Sequence, residues 1–318
     1  MAGPTQRVLQ PFPVEETEAH GLAERMPSLL VEAQRVAHTV THGTHGRRRA
    51  GPGETFWQFR HYDQNDSYGG IDWRRSGSSD ILYVREREWE AAHTVWLWVD
   101  LSPSMQFRSR LAKTLKESRA VVLGLALTEL LARGGERVGV MGGLPFIGRN
   151  TTRRVAEFLV RDVSRDGSLP PPARLSRFSE CLLFSDFLEP IEETSARLEN
   201  IASQGVRGHL VQILDPAEET LPYEGRTEFA SSEGRMRFIA GRAETLRESY
   251  QARMASHRKA LYDLTRRLKW SFAVHHTDRP AEEAVLSLHN RLAGLETDYR
   301  YRAPSLAEPA EAAPDEPS

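Results

Sequence analysis

The most constraining feature of this chain is the segment TVWLWVDLSPSM, which spans residues 94–105. Its apolar part, residues 95–99, is rich in β-branched and aromatic residues and too short for a helix, so it predicts a buried strand. The apolar run stops at Asp100, and the hydroxyl residues Ser102 and Ser104 follow at alternate positions. A polar residue at the carboxyl end of such a strand lies where open α/β sheets bind their ligands. The segment therefore predicts a buried strand with a candidate site at its end.

The three oxygen-bearing side chains of this segment permit two interpretations. Alternate spacing in a tight loop can direct Asp100, Ser102 and Ser104 at one point, and hard oxygen ligands suit Mg²⁺. The Asp-x-Ser-x-Ser pattern after a hydrophobic strand resembles the metal-ion-dependent adhesion site of von Willebrand factor A domains. Alternatively, the segment is a Ser/Pro turn that leads into a helix, with the serines capping backbone N–H groups. The segment alone does not separate a metal site from a helix cap.

The composition is that of an ordinary globular protein. The chain has 318 residues and a formal net charge of −2, so no bulk attraction to nucleic acid or to a membrane surface is expected. Cys181 is the single cysteine and lies in an apolar segment, which predicts a buried core residue. The N-terminal residues show no signal-peptide pattern, and the longest apolar stretch, 120–132, is too short to span a bilayer. We therefore expect a cytoplasmic protein without a membrane span.

After residue 92 the hydrophobic pattern alternates between short apolar runs and longer amphipathic segments. Such alternation predicts a three-layer, Rossmann-like α/β fold with a mostly parallel sheet. The predicted strands are 95–99, 137–141, 144–147, 181–184, 208–214 and 270–275, and the predicted helices are 111–131, 151–163, 192–203, 242–269 and 281–295. Residues 225–240 alternate like a hairpin. Nearer the N-terminus, helical spacing predicts one helix at 22–40, whereas residues 1–20 are expected to be a loose arm.

Two further aspartates follow predicted strands. Asp186 comes after the fourth of these strands and Asp215 after the fifth. Because the carboxyl ends of parallel strands meet at the same edge of a sheet, neighbouring strands can bring Asp100 and Asp186 to one crevice. Asp215 precedes a proline and is expected to start a turn.

Residues 54–90 are dense in aromatic residues, arginines and turn residues, and predict short strands joined by turns. Together with the strand that follows, this segment resembles the DUF58 family, bacterial proteins with a von Willebrand A-like domain. The matching residues, in order, are Glu54, Phe56, Arg60, Tyr62, Asp66, Ile71, Asp72, Trp73, Val84, Glu86, Glu90 and Asp100. Departures are Asn65, where the family has Gly, and Gly77–Ser78, where it often has Ala-Arg. The resemblance covers residues 46–190 and becomes weaker afterwards.

The patterns and the resemblance together predict four parts of the chain. Residues 1–45 are an N-terminal arm and helix, and residues 46–91 are a small β-rich subdomain. Residues 92–295 are a von Willebrand A-like α/β domain. Residues 296–318 are acidic and rich in Pro and Ala, so they are expected to be disordered.

The resemblance also implies a set of metal ligands. In the von Willebrand A pattern, a second aspartate on a later strand holds a metal-bound water, and Asp186 matches that residue. The pattern also uses a threonine from a Gly-Thr loop, for which the nearest match is Ser168 after Gly167. The expected ligands of Mg²⁺, or of another divalent cation such as Mn²⁺, are Asp100, Ser102, Ser104, Asp186 and Ser168.

A function follows from the resemblance as an expectation. DUF58 proteins commonly occur beside MoxR-type AAA+ ATPases, and no catalytic reaction is established for the family. We therefore expect a non-enzymatic, metal-dependent interaction module that acts with such an ATPase in assembling or activating other complexes. A carboxylate of a client protein would complete the coordination of the metal. The sequence contains no Walker A loop, Gly-x-Ser-x-Gly elbow or Gly-x-Gly-x-x-Gly fingerprint.

A metal-dependent hydrolase of phosphoesters or nucleic acid is the alternative. Asp72, Glu86 and Glu88 resemble the carboxylates that two-metal nucleases place on adjacent strands. However, residues 54–90 contain no lysine. The arginine run at 47–49 has no accompanying aromatic stacking platform, so we expect no nucleic-acid partner. The aromatic and basic residues of the segment equally fit a structural role as core anchors and ion pairs.

Overall fold

The computed structural model describes residues 6–7, 17–44, 56–63, 71–77, 81–87, 93–161, 167–230 and 237–294. In chain order, its strands are β1 (Gln6–Arg7), β2 (Phe56–His61), β3 (Tyr83–Arg87), β4 (Thr94–Val99), β5 (Arg137–Val140), β6 (Pro145–Phe146), β7 (Glu180–Ser185), β8 (Arg207–Leu214), β9 (Thr227–Ala230), β10 (Arg237–Ala240) and β11 (Ser271–His276). Its helices are α1 (Thr17–Thr44), α2 (Trp73–Ser76), α3 (Lys116–Arg133), α4 (Thr151–Arg161), α5 (Ile191–Ser203), α6 (Pro216–Thr220), α7 (Arg247–Arg267) and α8 (Ala281–Leu292), with 3₁₀ turns at Pro103–Gln106 and Ala243–Leu246. The acidic tail at 296–318 lies outside the described residues.

A six-stranded sheet forms the centre of the fold, in the order β11-β8-β7-β4-β5-β6. Neighbouring strands from β11 to β5 run parallel, and β6 pairs antiparallel with β5. The chain first moves outwards from β4 to β5 and β6, and then returns to the other side of β4 to form β7. The border between β4 and β7 is therefore the point where the strand order reverses, and open α/β sheets bind their ligands at such points. The predicted mostly parallel sheet is confirmed.

Helices cover both faces of this sheet. On one face, apolar side chains of α1, α3, α4 and α8 share a core with strand residues such as Leu97, Leu182 and Val211. On the other face, residues of α5 and α7 pack with strand residues such as Trp96 and Leu183. Adjacent residues of one strand belong to different cores because successive side chains of a strand point to opposite faces. The result is a mixed α/β fold in three layers.

The helix α3 is buried on nearly all sides, because the sheet lies on one side of it and α1 packs on another. All residues from 120 to 128 are buried, which explains why the hydrophobic run there shows no polar face. Gly124 lies against β4 so closely that a Cβ would come within 3.3 Å of Leu97 and Val99. The predicted N-terminal helix is thus part of the main core, where Leu22 and Ala33 of α1 are fully buried.

Most predicted elements occur within a few residues of their expected bounds. The helix expected at 111–131 begins only at Lys116, because Leu115 has an extended backbone with φ −68° and ψ 152°. The short helix α6 was not expected from the pattern. Gln6–Arg7 pairs in parallel with β9, where the sequence predicted a loose arm. The hairpin expected at 225–240 is present as β9 and β10, which pair antiparallel.

The segment at 54–90 contains the short strands that its composition predicts. β2 and β3 pair antiparallel, and Ile71 forms an isolated bridge with Val84. Ile71 and Val84 are buried, whereas the side chain of Trp73 is 63% exposed. Aromatic residues of this segment therefore do not all act as core anchors.

Two bulk expectations can be compared with the structure. Cys181 is fully buried within β7, as predicted from its apolar surroundings in the sequence. Among the described helices, none combines the length and the apolar character that crossing a membrane requires.

Candidate metal centre

Two aspartates meet where the strand order reverses. Asp100 is the first residue after β4 and Asp186 the first residue after β7, and these strands pair in register up to Val99 and Phe184. The amide of Asp100 donates to the carbonyl oxygen of Phe184 at 2.8 Å, so the pairing continues into the site. Both aspartates are buried. The fold thus places two carboxylates side by side at the carboxyl edge of the sheet.

The carboxylate of Asp100 is held by hydrogen bonds from Ser102 and Ser185. Oδ1 accepts from the amide of Ser102 at 2.8 Å, and Oδ2 accepts from Oγ of Ser185 at 2.6 Å. Burial and the neighbouring charge of Asp186 raise the pKa of Asp100 to about 6, although the hydrogen bonds from Ser102 and Ser185 oppose this shift. Asp100 is therefore a carboxylate that is fixed in position but costly to ionise, which is a state that a bound cation would relieve.

The two serines of the loop do not behave as helix caps. Ser102 occupies the N-cap position of the 3₁₀ turn Pro103–Gln106, but its hydroxyl makes no capping hydrogen bond. Instead, Oγ of Ser102 lies 3.2 Å from Oγ of Ser104. Two neighbouring ligands of an octahedral Mg²⁺, each bound at about 2.1 Å, are themselves about 3 Å apart. The separation of the two hydroxyl oxygens fits a pair of ligands, and it is also that of a hydrogen bond between the two serines.

The main chain of the loop after β7 is held by two side chains from other elements. Nε2 of Gln212 in β8 donates to the carbonyl oxygen of Asp186 at 2.9 Å. Nε2 of His257 in α7 lies 2.6 Å from the carbonyl oxygen of Phe187. Phe187 has a positive φ of 49°, a conformation that is strained for a residue with a side chain, and it is fully buried. These contacts fix the direction in which Asp186 leaves the strand.

A lysine that the sequence patterns did not single out lies at this site. Lys116 is the first residue of α3 and is completely buried. Its Nζ donates to Oδ2 of Asp186 at 2.9 Å and to Oε1 of Glu218 at 2.6 Å. Burial opposes the charge of Lys116, but the two carboxylates outweigh it and raise the pKa of the ammonium group above its ordinary value. Burial also opposes the charge of Asp186, but Lys116 and a hydrogen bond from Ser104 hold the pKa of this carboxyl below its ordinary value.

Glu218 connects this site to the loop after β8. Its Oε2 accepts from the amide of Asp215 at 2.8 Å and completes a capping box at the start of α6. The carboxylate of Asp215 accepts from the amide of Ala217 at 2.9 Å and from the amide of Ser109, in the loop after β4, at 2.8 Å. Asp215 therefore caps the short helix α6, where its position before a proline predicted a turn, and it ties two loops of the sheet edge together.

The described hydrogen bond of Ser168 does not involve the other expected ligands. Its hydroxyl donates to the carboxylate of Glu189, three residues beyond Asp186. The four residues that come together are Asp100, Ser102, Ser104 and Asp186. The prediction that Ser168 is a ligand rests only on the family resemblance.

Three residues that surround the predicted ligands were not part of the predicted site. They are Lys116, Ser185 and Glu218. Ser185 directly precedes Asp186 and was recognisable as a polar residue at the end of an apolar strand. Lys116 begins the polar run KESR, which precedes the apolar residues 120–127 of α3. A lysine beside a long apolar run is a candidate for burial, and a buried lysine needs acidic partners. This neighbourhood is the only sequence signal that points to Lys116.

The donor set fits a hard divalent cation in type. It consists of the carboxylate oxygens of Asp100 and Asp186 and the hydroxyl oxygens of Ser102 and Ser104. Within the part of the chain that the structure describes, no group of three or more His, Cys, Asp or Glu side chains is arranged to hold a metal ion. A cation at this edge would therefore depend on the hydroxyl oxygens of Ser102 and Ser104.

The residues of the alternative hydrolase site can be located only in part. Asp72 is the N-cap of α2, and its Oδ1 accepts from the amides of Arg74 and Arg75 at 3.1 Å each. Glu88 and the side chain of Glu86 lie outside the described part of the chain. The described contacts of Asp72 are those of a helix cap.

Comparisons with known proteins show relatives without an assigned function. An uncharacterized protein of Mycobacterium tuberculosis is 24% identical over 260 residues, which cover 74% of this chain and 79% of the relative. An uncharacterized protein of Mycobacterium bovis matches to the same extent. A solved structure described as the conserved hypothetical protein BatB from Bacteroides thetaiotaomicron is 15% identical, with a TM-score of 0.35, and the match covers 64% of this chain and 100% of that one.

A family model gives the assignment. The model described as "Protein of unknown function DUF58" matches residues 58–260. This range includes most of β2, all of β3, the strands β4 to β8 of the central sheet, and every residue of the cluster around Asp100 and Asp186. Because the match covers more than half of the chain, the protein belongs to the DUF58 family.

Proposed function

We propose that this protein is a non-enzymatic interaction module that binds its partner through the carboxyl edge of a von Willebrand A-like sheet. A divalent cation, Mg²⁺ or Mn²⁺, held by Asp100, Ser102, Ser104 and Asp186 would control this binding. The partners in this proposal are a MoxR-type AAA+ ATPase and an acidic side chain of a client protein. The observation that carries the proposal is the convergence of these four side chains where the strand order reverses.

The surrounding residues prepare the donor atoms for a cation. Ser185 and the amide of Ser102 orient the carboxylate of Asp100, and Lys116 occupies Oδ2 of Asp186. Because the main chain on both sides is fixed by the sheet, the oxygens are in place before a ligand arrives. When bound, a cation with few protein ligands keeps an open coordination position that an acidic group can fill.

The contacts of the cluster favour binding over nucleophilic catalysis. The hydroxyl of Ser185 is fully buried and is held between the carboxylate of Asp100 and the amide of Phe187, whereas a nucleophile must reach its substrate. The two loops that carry the cluster also expose large apolar side chains, since Leu111 is 53% and Leu188 41% exposed. Apolar residues beside a polar centre are typical of protein interfaces.

The test is a capture experiment with purified components. The protein is immobilised and offered the MoxR-type ATPase encoded in the same genome, in buffer with Mg²⁺ or with EDTA. We expect capture in Mg²⁺ and its loss in EDTA. Asp100→Asn should lose capture in both buffers while its circular dichroism spectrum stays that of the wild type.

Asp278→Asn provides the matched control, because Asp278 is an exposed aspartate just after β11, at the same edge of the sheet. This variant should keep Mg²⁺-dependent capture. Undiminished capture by folded Asp100→Asn would contradict the proposal. Mg²⁺-dependent cleavage of nucleic acid that disappears in Asp72→Ala would favour the hydrolase alternative.

A further inference from the structure

Lys116 lies at a position where the positive charge of a lysine is energetically unfavourable. Its side chain is completely buried, and it is the first residue of α3. The amino end of a helix carries partial positive charge, so a cation there gains nothing from the helix dipole. Fully buried lysines are rare unless they are paired. The two ion pairs, with Asp186 at 2.9 Å and with Glu218 at 2.6 Å, offset this cost.

The charges around Lys116 match one divalent cation. Asp100, Asp186 and Glu218 carry three negative charges when ionised, and Lys116 carries one positive charge. Asp186 is common to both halves of the cluster, because it pairs with Lys116 and is also bonded by Ser104. With Lys116 present, a divalent cation brings the formal charge of the cluster to zero. Without Lys116, the loaded cluster would keep one negative charge and would repel an acidic ligand.

We infer that Lys116 is a positioning residue that acts as the fixed counter-charge of the metal centre. It weakens the binding of the cation, since like charges repel at short range in a buried site. Lys116 also makes the summed formal charge of Asp100, Asp186, Glu218, Lys116 and the bound cation zero. An acidic group of a partner can therefore approach the open coordination position. This inference rests on the proposed function, because it assumes that a cation binds at Asp100, Ser102, Ser104 and Asp186.

A merely structural ion pair would behave differently. If Lys116 only joined α3 to the loops after β7 and β8, its removal would weaken the fold and lower every binding affinity of the site together. A counter-charge instead moves two affinities in opposite directions. Removing positive charge should tighten the binding of Mg²⁺ and weaken the binding of a carboxylate, and removing negative charge should do the reverse.

The chain offers a pair of variants with opposite changes of charge. Lys116→Met removes the positive charge and approximates the length of the side chain. Glu218→Gln removes one negative charge and keeps one acceptor oxygen, which can serve either Lys116 or the amide of Asp215. Glu218 is not among the expected metal ligands. The double variant Lys116→Met/Glu218→Gln restores the charge balance. Lys113→Met is the control, because Lys113 is an exposed lysine in the loop that precedes α3.

Two quantities are measured for each variant. Isothermal titration gives the affinity for Mg²⁺, and fluorescence anisotropy in saturating Mg²⁺ gives the affinity for a labelled glycine-rich peptide that carries one glutamate. The same peptide with glutamine shows how much of the binding depends on the carboxylate. We expect Lys116→Met to bind Mg²⁺ about tenfold more tightly and the glutamate peptide about tenfold more weakly, the scale of one unit charge in a partly screened site.

Glu218→Gln should show the opposite pair of shifts, and the double variant should return towards the wild type in both. If Lys116→Met does not fold, the wild type is compared with Glu218→Gln instead. In Glu218→Gln, Lys116 keeps its ion pair with Asp186. Shifts of both affinities in the same direction, or changes below twofold in Glu218→Gln, would overturn the role of Lys116 while Mg²⁺ binding by the wild type stands. A wild type that binds no Mg²⁺ would overturn the proposed metal centre and this inference with it.

Discussion

The hydroxyl of Ser185 donates a 2.6 Å hydrogen bond to Oδ2 of Asp100 and thereby joins the last residue of β7 to the first residue after β4. Both side chains are fully buried. The same Oγ accepts from the amide of Phe187 at 3.0 Å, so one hydroxyl fixes both a carboxylate and the strained backbone beyond it. Ser185 thus adds a side-chain link to the backbone pairing of β4 and β7 at the point where the strand order reverses.

Replacing Ser185 by alanine should destabilise the fold measurably. The change leaves Oδ2 of Asp100 and the amide of Phe187 without their described partner, and each unsatisfied buried polar group costs about 1–3 kcal/mol. We expect the free energy of unfolding in urea to fall by about 2–4 kcal/mol. Ser203→Ala is the control, because the exposed hydroxyl of Ser203 bonds only within its own helix end, and its effect should stay within about 0.5 kcal/mol.

The titration of Asp100 gives stability a specific dependence on pH. The folded-state pKa of about 6 lies above the ordinary value of 3.8, so the folded protein binds a proton more readily than the unfolded chain. The stabilisation of the folded state by this group is fully present below pH 4 and is lost as the pH rises through about 6. A shift of this size corresponds to about 3 kcal/mol.

Asp100→Asn should remove this dependence. Urea unfolding in EDTA at several pH values would show the wild type losing up to about 3 kcal/mol relative to Asp100→Asn between pH 4 and pH 7. The difference between the two proteins is the informative quantity, because Asp186, whose pKa is lowered, contributes with the opposite sign in both. A constant difference across this range would show that Asp100 has an ordinary pKa.

The fold was predictable because its strands are encoded locally. Residues 95–99 and 181–184 are apolar at every position and residues 208–214 at most positions, as strands covered on both faces require, and each is found within β4, β7 or β8. The positions of Asp100 and Asp186 follow from these strand ends. The two aspartates are close if β4 and β7 are neighbouring strands, and the structure shows that these strands pair in parallel.

Lys116 and Glu218 were not predictable in the same way. The apolar residues at 111 and 115 continue the helical spacing of α3, so the sequence predicted a helix that starts too early and hides Lys116 in its second turn. The partners of Lys116 are 70 and 102 residues away in the chain. The burial of a charge depends on such distant partners, and no local pattern records it.

A glycine in the sheet offers a test of the core that is independent of the site. A Cβ on Gly208 in β8 would lie 2.1 Å from the ring of Trp270, which is buried and donates to the carbonyl oxygen of Val206. Gly208→Ala should therefore cost about 1–3 kcal/mol, because the indole cannot move without losing its contacts.

The control for Gly208→Ala is the same substitution at Gly21. No atom lies within 4 Å of a Cβ built on Gly21, which belongs to α1. Alanine is the better helix former, so Gly21→Ala should raise the free energy of unfolding by up to about 1 kcal/mol. Equal effects of the two substitutions in urea unfolding would show that Trp270 does not pack on β8 in this way.

The serine pair allows the metal centre to be tested by stability alone. A ligand that binds only the folded state raises the free energy of unfolding, by about 2.7 kcal/mol at a concentration one hundred times its Kd. We expect Mg²⁺ to raise the Tm of the wild type and to leave the Tm of Ser102→Ala/Ser104→Ala unchanged, since no other described group replaces these hydroxyl oxygens. Ser109→Ala, in the same loop, should keep the full Mg²⁺ effect, because its hydroxyl only accepts from the amide of Leu111. Retention of the Mg²⁺ effect by the double variant would mean that the cation binds elsewhere, and the convergence of Ser102 and Ser104 would then have to be explained by their hydrogen bond to each other.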